Sequence, residues 1–248
     1  MGRAPYVNFG HYIAQAWAAT PKQSFRDLAA HIAAARGTEL RGELLDIGCA
    51  SGELLAYLQS VFPAMRATGM DVFEELLGEA RKRVASAAFV KGSALELPRE
   101  LRGAFDVVTA MGVMSIFDET EIAAFWDNAL AAAKPDGLLI VLAPLNEYGV
   151  DTMIRHRKRM GGRVLGWETG WNIHAMETIT EIVAALGRRV RFERFGFEGS
   201  LEPRADPVRT WTLATADNPR QLTNGLKLLV DHYFMIVDGR DPARRPQP

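Results

Sequence analysis

The residues best placed to do chemistry are two aspartates and the glycines between them. Asp46 closes an apolar run that begins at Leu44, Gly48 and Gly52 bracket a short turn, and a helical pattern resumes near Ser51. Strand, tight turn and helix in that order let the backbone approach a ligand closely and leave unpaired N–H groups at the helix start. Asp71 lies about 20 positions beyond the turn, where an acid at the end of a second strand can accept hydrogen bonds from ribose hydroxyls. The chemistry these residues point to is the binding of a ribose-containing cofactor.

Such residues need a sheet to hold them. Apolar strand patterns at 44–46, 65–70, 87–91, 105–110 and 138–143 alternate with helical patterns at about 51–62, 73–85 and 118–133, which predicts parallel strands joined by right-handed crossovers. Ligands in sheets of this kind sit at the carboxyl ends of the strands, where Gly48, Asp71, Ser93 and Met111 all fall. Upstream, Tyr6, Phe9, Tyr12, Ile13, Ala16 and Trp17 recur at helical spacing. Thr20-Pro21-Lys22-Gln23 reads as a capping box opening a second helix that runs to about Arg36. Lys134-Pro135-Asp136-Gly137 reads as a turn, and Asp118-Glu119-Thr120-Glu121 as another capping box.

The alternation stops after Pro144. Residues 146–175 hold Arg155-His156-Arg157-Lys158-Arg159, then Arg163, Trp167, Glu168, Trp171 and His174, with glycines interspersed. This insertion reads as the substrate-side element, because loops at the ligand edge of a rigid sheet commonly carry recognition; its basic run reads equally as a solvated loop. Beyond it, the pattern predicts a helix over 178–186 and an antiparallel hairpin of strands near 190–197 and 209–216. A helix over about 220–237 with Leu222, Leu226, Leu229, Phe234 and Ile236 on its apolar face follows, then a Pro- and Arg-rich tail. The expected organisation is a single domain over 1–248. It comprises a helical cap over 1–40, a cofactor-binding core over 41–145, the insertion over 146–175, the rest of the core with an extra helix over 176–238, and a tail over 239–248.

Composition bounds the partners. A formal net charge of -1 supplies no general phosphate-attracting field, so nothing global marks a nucleic-acid binder. No segment reads as a membrane span and no spacing reads as a metal site. Cys49 is the one cysteine, so no intrachain disulfide can form, which suits a reducing compartment; a cytoplasmic location is expected.

The chain resembles the class I S-adenosylmethionine-dependent methyltransferases, specifically the small-molecule enzymes of the ubiquinone-biosynthesis-like kind. The matching pieces are LLDIGCASGELL at 44–55, GMD at 69–71, KGSALELP at 91–98, FDVVTAMGVMSIF at 105–117 and LAAAKPDGLLIV at 130–141, in the family's order. The resemblance implies an α/β fold, a Rossmann-like, seven-stranded, mostly parallel sheet with helices on both faces and a terminal antiparallel strand. It also implies S-adenosylmethionine as cofactor and S-adenosylhomocysteine as product. Carried over by residue, it places Asp46 at the methionine amino group and Gly48, Cys49, Ala50 and Gly52 against the methionine and ribose. Asp71 and Val72 then fall at the ribose, Ser93, Ala94 and Leu95 at the adenine, and Met111 and Gly112 beside the methionine portion. Two positions depart from the family pattern: Ala50 stands at the middle glycine of the turn, and Ser93 where an acidic residue is common.

The expected reaction is methyl transfer to an O or N atom of a small molecule, a sugar or natural-product intermediate among the candidates. His174 is the candidate base, with His11 and Glu168 behind it, and Tyr12, Arg155, Arg157, Trp167 and Trp171 are candidate acceptor contacts. The alternatives are an RNA or protein methyltransferase, a nicotinamide-dependent oxidoreductase, and a non-catalytic binding protein on the same fold. The turn GCASGE lacks the third glycine of GxGxxG, which argues against the oxidoreductase. The N-terminal aromatic helix and the C-terminal helix are candidate homodimer surfaces.

Overall fold

The computed structural model describes residues 20–197, 212–213, 222–223 and 228–241. The expectations at Tyr6 to Trp17, Tyr12 and His11 included, at the loop holding Pro203 and Pro207 and at most of the tail lie outside the described residues. In chain order the elements are α1 (Gln23–Arg36), β1 (Gly42–Ile47), α2 (Glu53–Val61), β2 (Met65–Asp71), α3 (Glu74–Arg83), β3 (Ala88–Lys91), β4 (Phe105–Met111), α4 (Ile122–Ala132) and β5 (Ala133–Asn146). They continue with β6 (Arg155–Met160), β7 (Arg163–Thr169), β8 (His174–Ala175), α5 (Met176–Ala185), β9 (Arg191–Phe195), β10 (Thr212–Leu213), β11 (Leu222–Thr223) and β12 (Leu229–Asp238).

Strand periodicity explains how the sheet is buried on both sides. Along β1, β5 and β12, alternate residues enter different cores: Leu45, Leu139, Met235 and Val237 join one cluster, and Leu44, Leu138, Phe234 and Ile236 the other. Helices α4 and α5 cover the first face through Phe125, Trp126, Ile179 and Val183. On the second face, α1 and α2 supply Phe25, Leu28, Ile32, Leu55 and Leu58. The seven main strands run in the order β3-β2-β1-β4-β5-β12-β9, parallel from β3 to β5 and antiparallel at β5–β12 and β12–β9. Two-residue strands β8, β10 and β11 extend it to ten. This is the expected mixed α/β sheet with a terminal antiparallel strand. None of the described helices is long and apolar enough to cross a membrane.

Several local expectations are corrected. The predicted C-terminal helix over 220–237 is instead β11 and β12, with Tyr233, Met235 and Val237 facing one core and Phe234 and Ile236 the other. A strand buried on both faces shows a continuous apolar run that can be picked as a helical stripe. The predicted hairpin of 190–197 with 209–216 does not form, since β9 pairs with β12 and β10 with β11. Residues 134–137 are a bulge inside β5, across which the register passes from Phe105↔Ala133 to Val107↔Leu138. Neither capping box forms: Lys22 is the N-cap of α1, and the Asp118 carboxylate takes the Thr120 N–H four residues ahead of α4.

The insertion is structured. β6 and β7 pair antiparallel as a separate two-stranded hairpin whose turn, Gly161-Gly162, has φ of 55° and 75°. Two successive left-handed residues match the twist of the flanking strands, and glycine adopts them without steric cost. Below the hairpin, Thr152 and Ile173 exchange backbone bonds of 2.8 and 3.0 Å. Buried Asn172 then fixes this neck to the segment that follows β4. Its N–H donates to the Ser115 carbonyl, its Nδ2 donates to the Phe117 carbonyl at 2.8 Å, and its Oδ1 accepts the Ile154 N–H at 2.9 Å.

Candidate functional site

The first turn is shaped by close contacts. Gly48 sits at φ 75°, and a Cβ there would lie 2.3 Å from Val113 Cγ2, so only glycine lets the turn close over the β4 loop. Its N–H and that of Cys49 both donate to the Met70 carbonyl. Ala50 adopts φ 47°, a left-handed conformation that costs an alanine about 1–2 kcal/mol, and its N–H is held by Asp71 Oδ2 at 3.0 Å. Asp71 Oδ1 accepts the Phe73 N–H at 3.0 Å, so one carboxylate ties the first and second βα turns together. Burial pushes the Asp71 carboxyl above its ordinary range, while the backbone bonds oppose that shift.

Asp46 is buried one turn below. Thr109 Oγ1 donates to its Oδ1 at 2.8 Å, and burial pushes its carboxyl up to about 7 despite that bond. The Ser93 hydroxyl accepts the Leu95 N–H at 3.1 Å, which leaves its own proton free to donate.

These pieces surround a cavity of about 180 Å³ at the carboxyl ends of the strands. On the sheet side it is lined by Ile47, Gly48, Ala50, Met70, Asp71, Val72, Gly92, Ser93, Ala94 and Gly112, with Phe73 and Leu76 from the entrance to α3. The other wall comes from Val113, Ser115, Ile116 and Phe117 after β4 and from the hairpin side, through His156, Glu168, Thr169, Gly170 and Trp171. Gly112, at φ 72°, has open space where a side chain would stand. A glycine cradle, a ribose-competent carboxylate and a free hydroxyl in one cavity are a donor set that fits an adenosyl amino acid.

Of the residues singled out from sequence, Gly48, Ala50, Asp71, Val72, Ser93, Ala94, Gly112, Glu168 and Trp171 meet in this cavity. Asp46, Cys49, Gly52, Leu95 and Met111 do not line it. Gly52 instead packs against α3 and β3, where a Cβ would meet Val84 at 3.1 Å and Ala80 and Phe89 at 3.4 Å. Burial pushes the Cys49 thiol well up, leaving it an apolar core group.

His174 also stands outside the lining. It is 1 % exposed, and its Nε2 donates to the Phe117 carbonyl at 3.1 Å, with Nδ1 3.7 Å from Asp151. Burial lowers its basicity, against the pull of the Phe117 bond and of Asp151. The geometry makes it a tie between β8 and the β4 loop, which corrects its assignment as the base. Arg155, Arg157 and Trp167 are corrected as acceptor contacts for a different reason: the strand alternation puts them on the hairpin's outer face. There both guanidiniums lie over the Trp167 ring, at 5.7 and 5.1 Å. Sequence reasoning missed His156 and Lys158 on the inner face; the alternation of 155–159 was the signal, once the segment is known to be a strand.

Residues 44–137 match the family model described as a methyltransferase domain. The chain carries a class I S-adenosylmethionine-dependent methyltransferase domain. S-adenosylmethionine is the cofactor of this methyltransferase. Among solved structures, the YcgJ protein from Bacillus subtilis is similar at a TM-score of 0.57 and 13% identity, over 89% of this chain and 100% of that one. A DhpI–SAM–HEP complex is similar at 0.57 and 16%, over 92% and 91%. A Galdieria sulphuraria protein provisionally described as a sarcosine dimethylglycine methyltransferase is similar at 0.54 and 14%, over 69% of this chain and 62% of that one. This methyltransferase thus spans under two thirds of that last relative. At these identities the likeness is one of fold. No curated protein matches this methyltransferase by sequence.

Proposed function

We propose that this methyltransferase acts on an oxygen or nitrogen atom of a small molecule held between the strand ends and the β6–β7 hairpin, a sugar or natural-product intermediate being the class in view. The observation that carries the reading is one cavity with two unlike walls: a glycine and carboxylate wall at the strand ends, and a hairpin wall bearing His156, Glu168 and Trp171. On this reading Asp71 accepts from the ribose hydroxyls, Ser93 and Ala94 meet the adenine, and Gly48 and Gly112 leave room for the methionine chain. Asp46, one residue before the lining Ile47, attracts the methionine ammonium directly or through water.

When bound, the donor supplies a methyl group on a sulfonium, whose leaving thioether needs no acid. The residues of this chain therefore have three tasks: to align the acceptor in line with that methyl, to exclude water, and to take a proton where the acceptor must lose one. The apolar side chains Val113, Ile116 and Phe117 serve the second task. We read the whole chain as one domain working in the cytoplasm, in keeping with its single buried cysteine.

Calorimetric titration with S-adenosylhomocysteine, S-adenosylmethionine and NAD(H) tests the reading. Micromolar binding of the adenosyl ligands alone is expected; binding of NAD(H) in their place would overturn it. The outward arginines Arg155, Arg157 and Arg159 favour a second reading, an RNA acceptor. Salt-sensitive RNA binding that disappears when all three are replaced by alanine would support that reading over the first.

A further inference from the structure

The β6–β7 hairpin has a second face, turned away from the cavity, that mixes arginine with exposed apolar side chains. From Thr152 to Met160 exposure alternates strictly, which puts Met153, Arg155, Arg157 and Arg159 on the outward side. Arg157 stands opposite Trp167 and Arg159 opposite Val164, so those two residues of β7 share that side. Residues 152–167 hold Arg155, Arg157, Lys158, Arg159 and Arg163 and no acid, in a chain whose formal net charge is -1. Lys158 is turned inward, 3.5 Å from Glu168, while the four arginines are exposed. The nearest acid upstream, Asp151, already accepts the Ala175 N–H and the Thr178 hydroxyl. Seven large apolar side chains stand exposed among the described residues, and five of them, Tyr148, Val150, Met153, Val164 and Trp167, fall within the insertion. Met153, Val164 and Trp167, at 37, 54 and 50 % exposure, lie among the arginines. A solvated basic loop has no use for that apolar surface, and a purely apolar contact has no use for an arginine at every second position.

We propose that this face is a docking surface for an anionic lipid bilayer. The arginines meet the lipid phosphates and carboxylates while their stems lie along the apolar side chains. Trp167 sits at headgroup level, where an amphipathic ring with one wet edge is most stable, and Val164, two residues past the Gly161-Gly162 tip, reaches the acyl boundary. None of these side chains lines the cavity, so docking leaves the ligand wall formed by His156 and Glu168 untouched, and the proposal does not depend on the acceptor. The cytoplasmic leaflet, which carries the anionic lipid, suits the compartment proposed above. Nucleic acid is the competing partner, since it too is drawn to arginine. It would leave Met153 and Val164 in water, and the Trp167 ring lies under two guanidiniums, at 5.7 and 5.1 Å, which makes it a poor platform for a stacked base. A second copy of the chain docked face to face would set four arginines against four.

The test is co-sedimentation of the full chain with vesicles of phosphatidylcholine containing about one-third phosphatidylserine, run beside pure phosphatidylcholine vesicles and single-stranded polyuridylate. The chain should sediment with the anionic vesicles, not with the neutral ones, and release as salt rises. An arginine near an anionic leaflet adds about fivefold to binding, so replacing Arg155, Arg157 and Arg159 together by glutamine should weaken it about 10²-fold. The same three changed to lysine keep the charge and should bind within about threefold of the native chain. Val164→Ser with Trp167→Ser leaves the charge untouched and should weaken vesicle binding about tenfold or more. Brominated lipid should quench tryptophan emission in the native chain, and Trp167→Phe should remove most of that quenching. No preference of the native chain for anionic vesicles overturns the proposal, as does an apolar double variant that binds like the native chain or a lysine variant that fails as badly as the glutamine one. Polyuridylate that displaces the chain from the vesicles at equal salt, and binds it more tightly than they do, overturns it in favour of nucleic acid.

Discussion

Asp46→Asn should change how the stability of this protein depends on pH. The Asp46 carboxyl is raised from 3.8 to about 7 by burial, close to three pH units, which corresponds to roughly 4 kcal/mol between the folded and unfolded ionisation equilibria. Because the folded value lies above the unfolded one, the favourable contribution is complete below about pH 4 and is lost as the pH climbs through 7. His232 works in the opposite sense. Burial lowers its imidazole from 6.5 to about 4, so its contribution of roughly 3 kcal/mol is complete above 6.5 and lost as the pH falls through 4. The two slopes oppose each other between pH 4 and 6.5, so together they flatten the profile there. Asparagine keeps an oxygen for the Thr109 hydroxyl but cannot ionise, so Asp46→Asn should expose the His232 slope and gain on the native protein by roughly 4 kcal/mol between pH 4 and 8. Urea denaturation at half-unit steps reads this directly. The donor ammonium should draw Asp46 into its charged form, so S-adenosylhomocysteine affinity should rise up to about tenfold per pH unit below 7 in the native protein and stay flat in the variant. Parallel stability curves, or an affinity that ignores pH in both proteins, would refute the reasoning.

Asp71→Ala should weaken S-adenosylhomocysteine about tenfold to a hundredfold, the worth of hydrogen bonds to a charged group, and also lower stability because the Ala50 and Phe73 N–H groups lose their acceptor; calorimetry and melting read the two separately. Gly48→Ala should both destabilise the fold and impair ligand binding, since its Cβ would overlap Val113 Cγ2, and Val113→Ala in the same chain should recover part of the loss in a thermal melt. His174→Ala should cost about 1–3 kcal/mol in unfolding measurements through its broken bond to Phe117 while leaving cofactor affinity unchanged; a normal melt with lost turnover would restore it as a base.

The strand-end half of the cavity was legible because its physics is local. A turn that needs glycine at Gly48 and a carboxylate at Asp71 announces itself in residue type and spacing, and five strands alternating with three helices point to the parallel order. Gly52 was legible as a required glycine but not for its reason, a close approach to Val84 and Ala80 that depends on how α3 of the next strand–helix unit packs. The C-terminal third was misread at β12, whose two faces enter the two cores, which erases the alternation that marks a strand. In the insertion, charge concealed structure: arginines on every second residue of β6 look like a solvated run until the Gly161-Gly162 turn pairs them against β7. His174 showed the limit of chemistry read from residue type, for a buried imidazole bonded to a carbonyl and one facing a cavity are the same letter in a sequence.

The neck formed by Thr152 and Ile173 makes the hairpin an exchangeable cassette. Thr152 and Ile173 join the outgoing and returning chain by a pair of backbone bonds, the Gly170 N–H adds a third to the Ile154 carbonyl, and Asn172 clamps them to the Ser115 and Phe117 carbonyls. Everything beyond that clamp can lengthen, shorten or change its inward residues without shifting the register of the strands that line the cavity. On the proposed reading, acceptor preference can therefore drift in evolution, or be swapped by grafting a different hairpin between those two positions, while the strand-end wall of the cavity stays fixed.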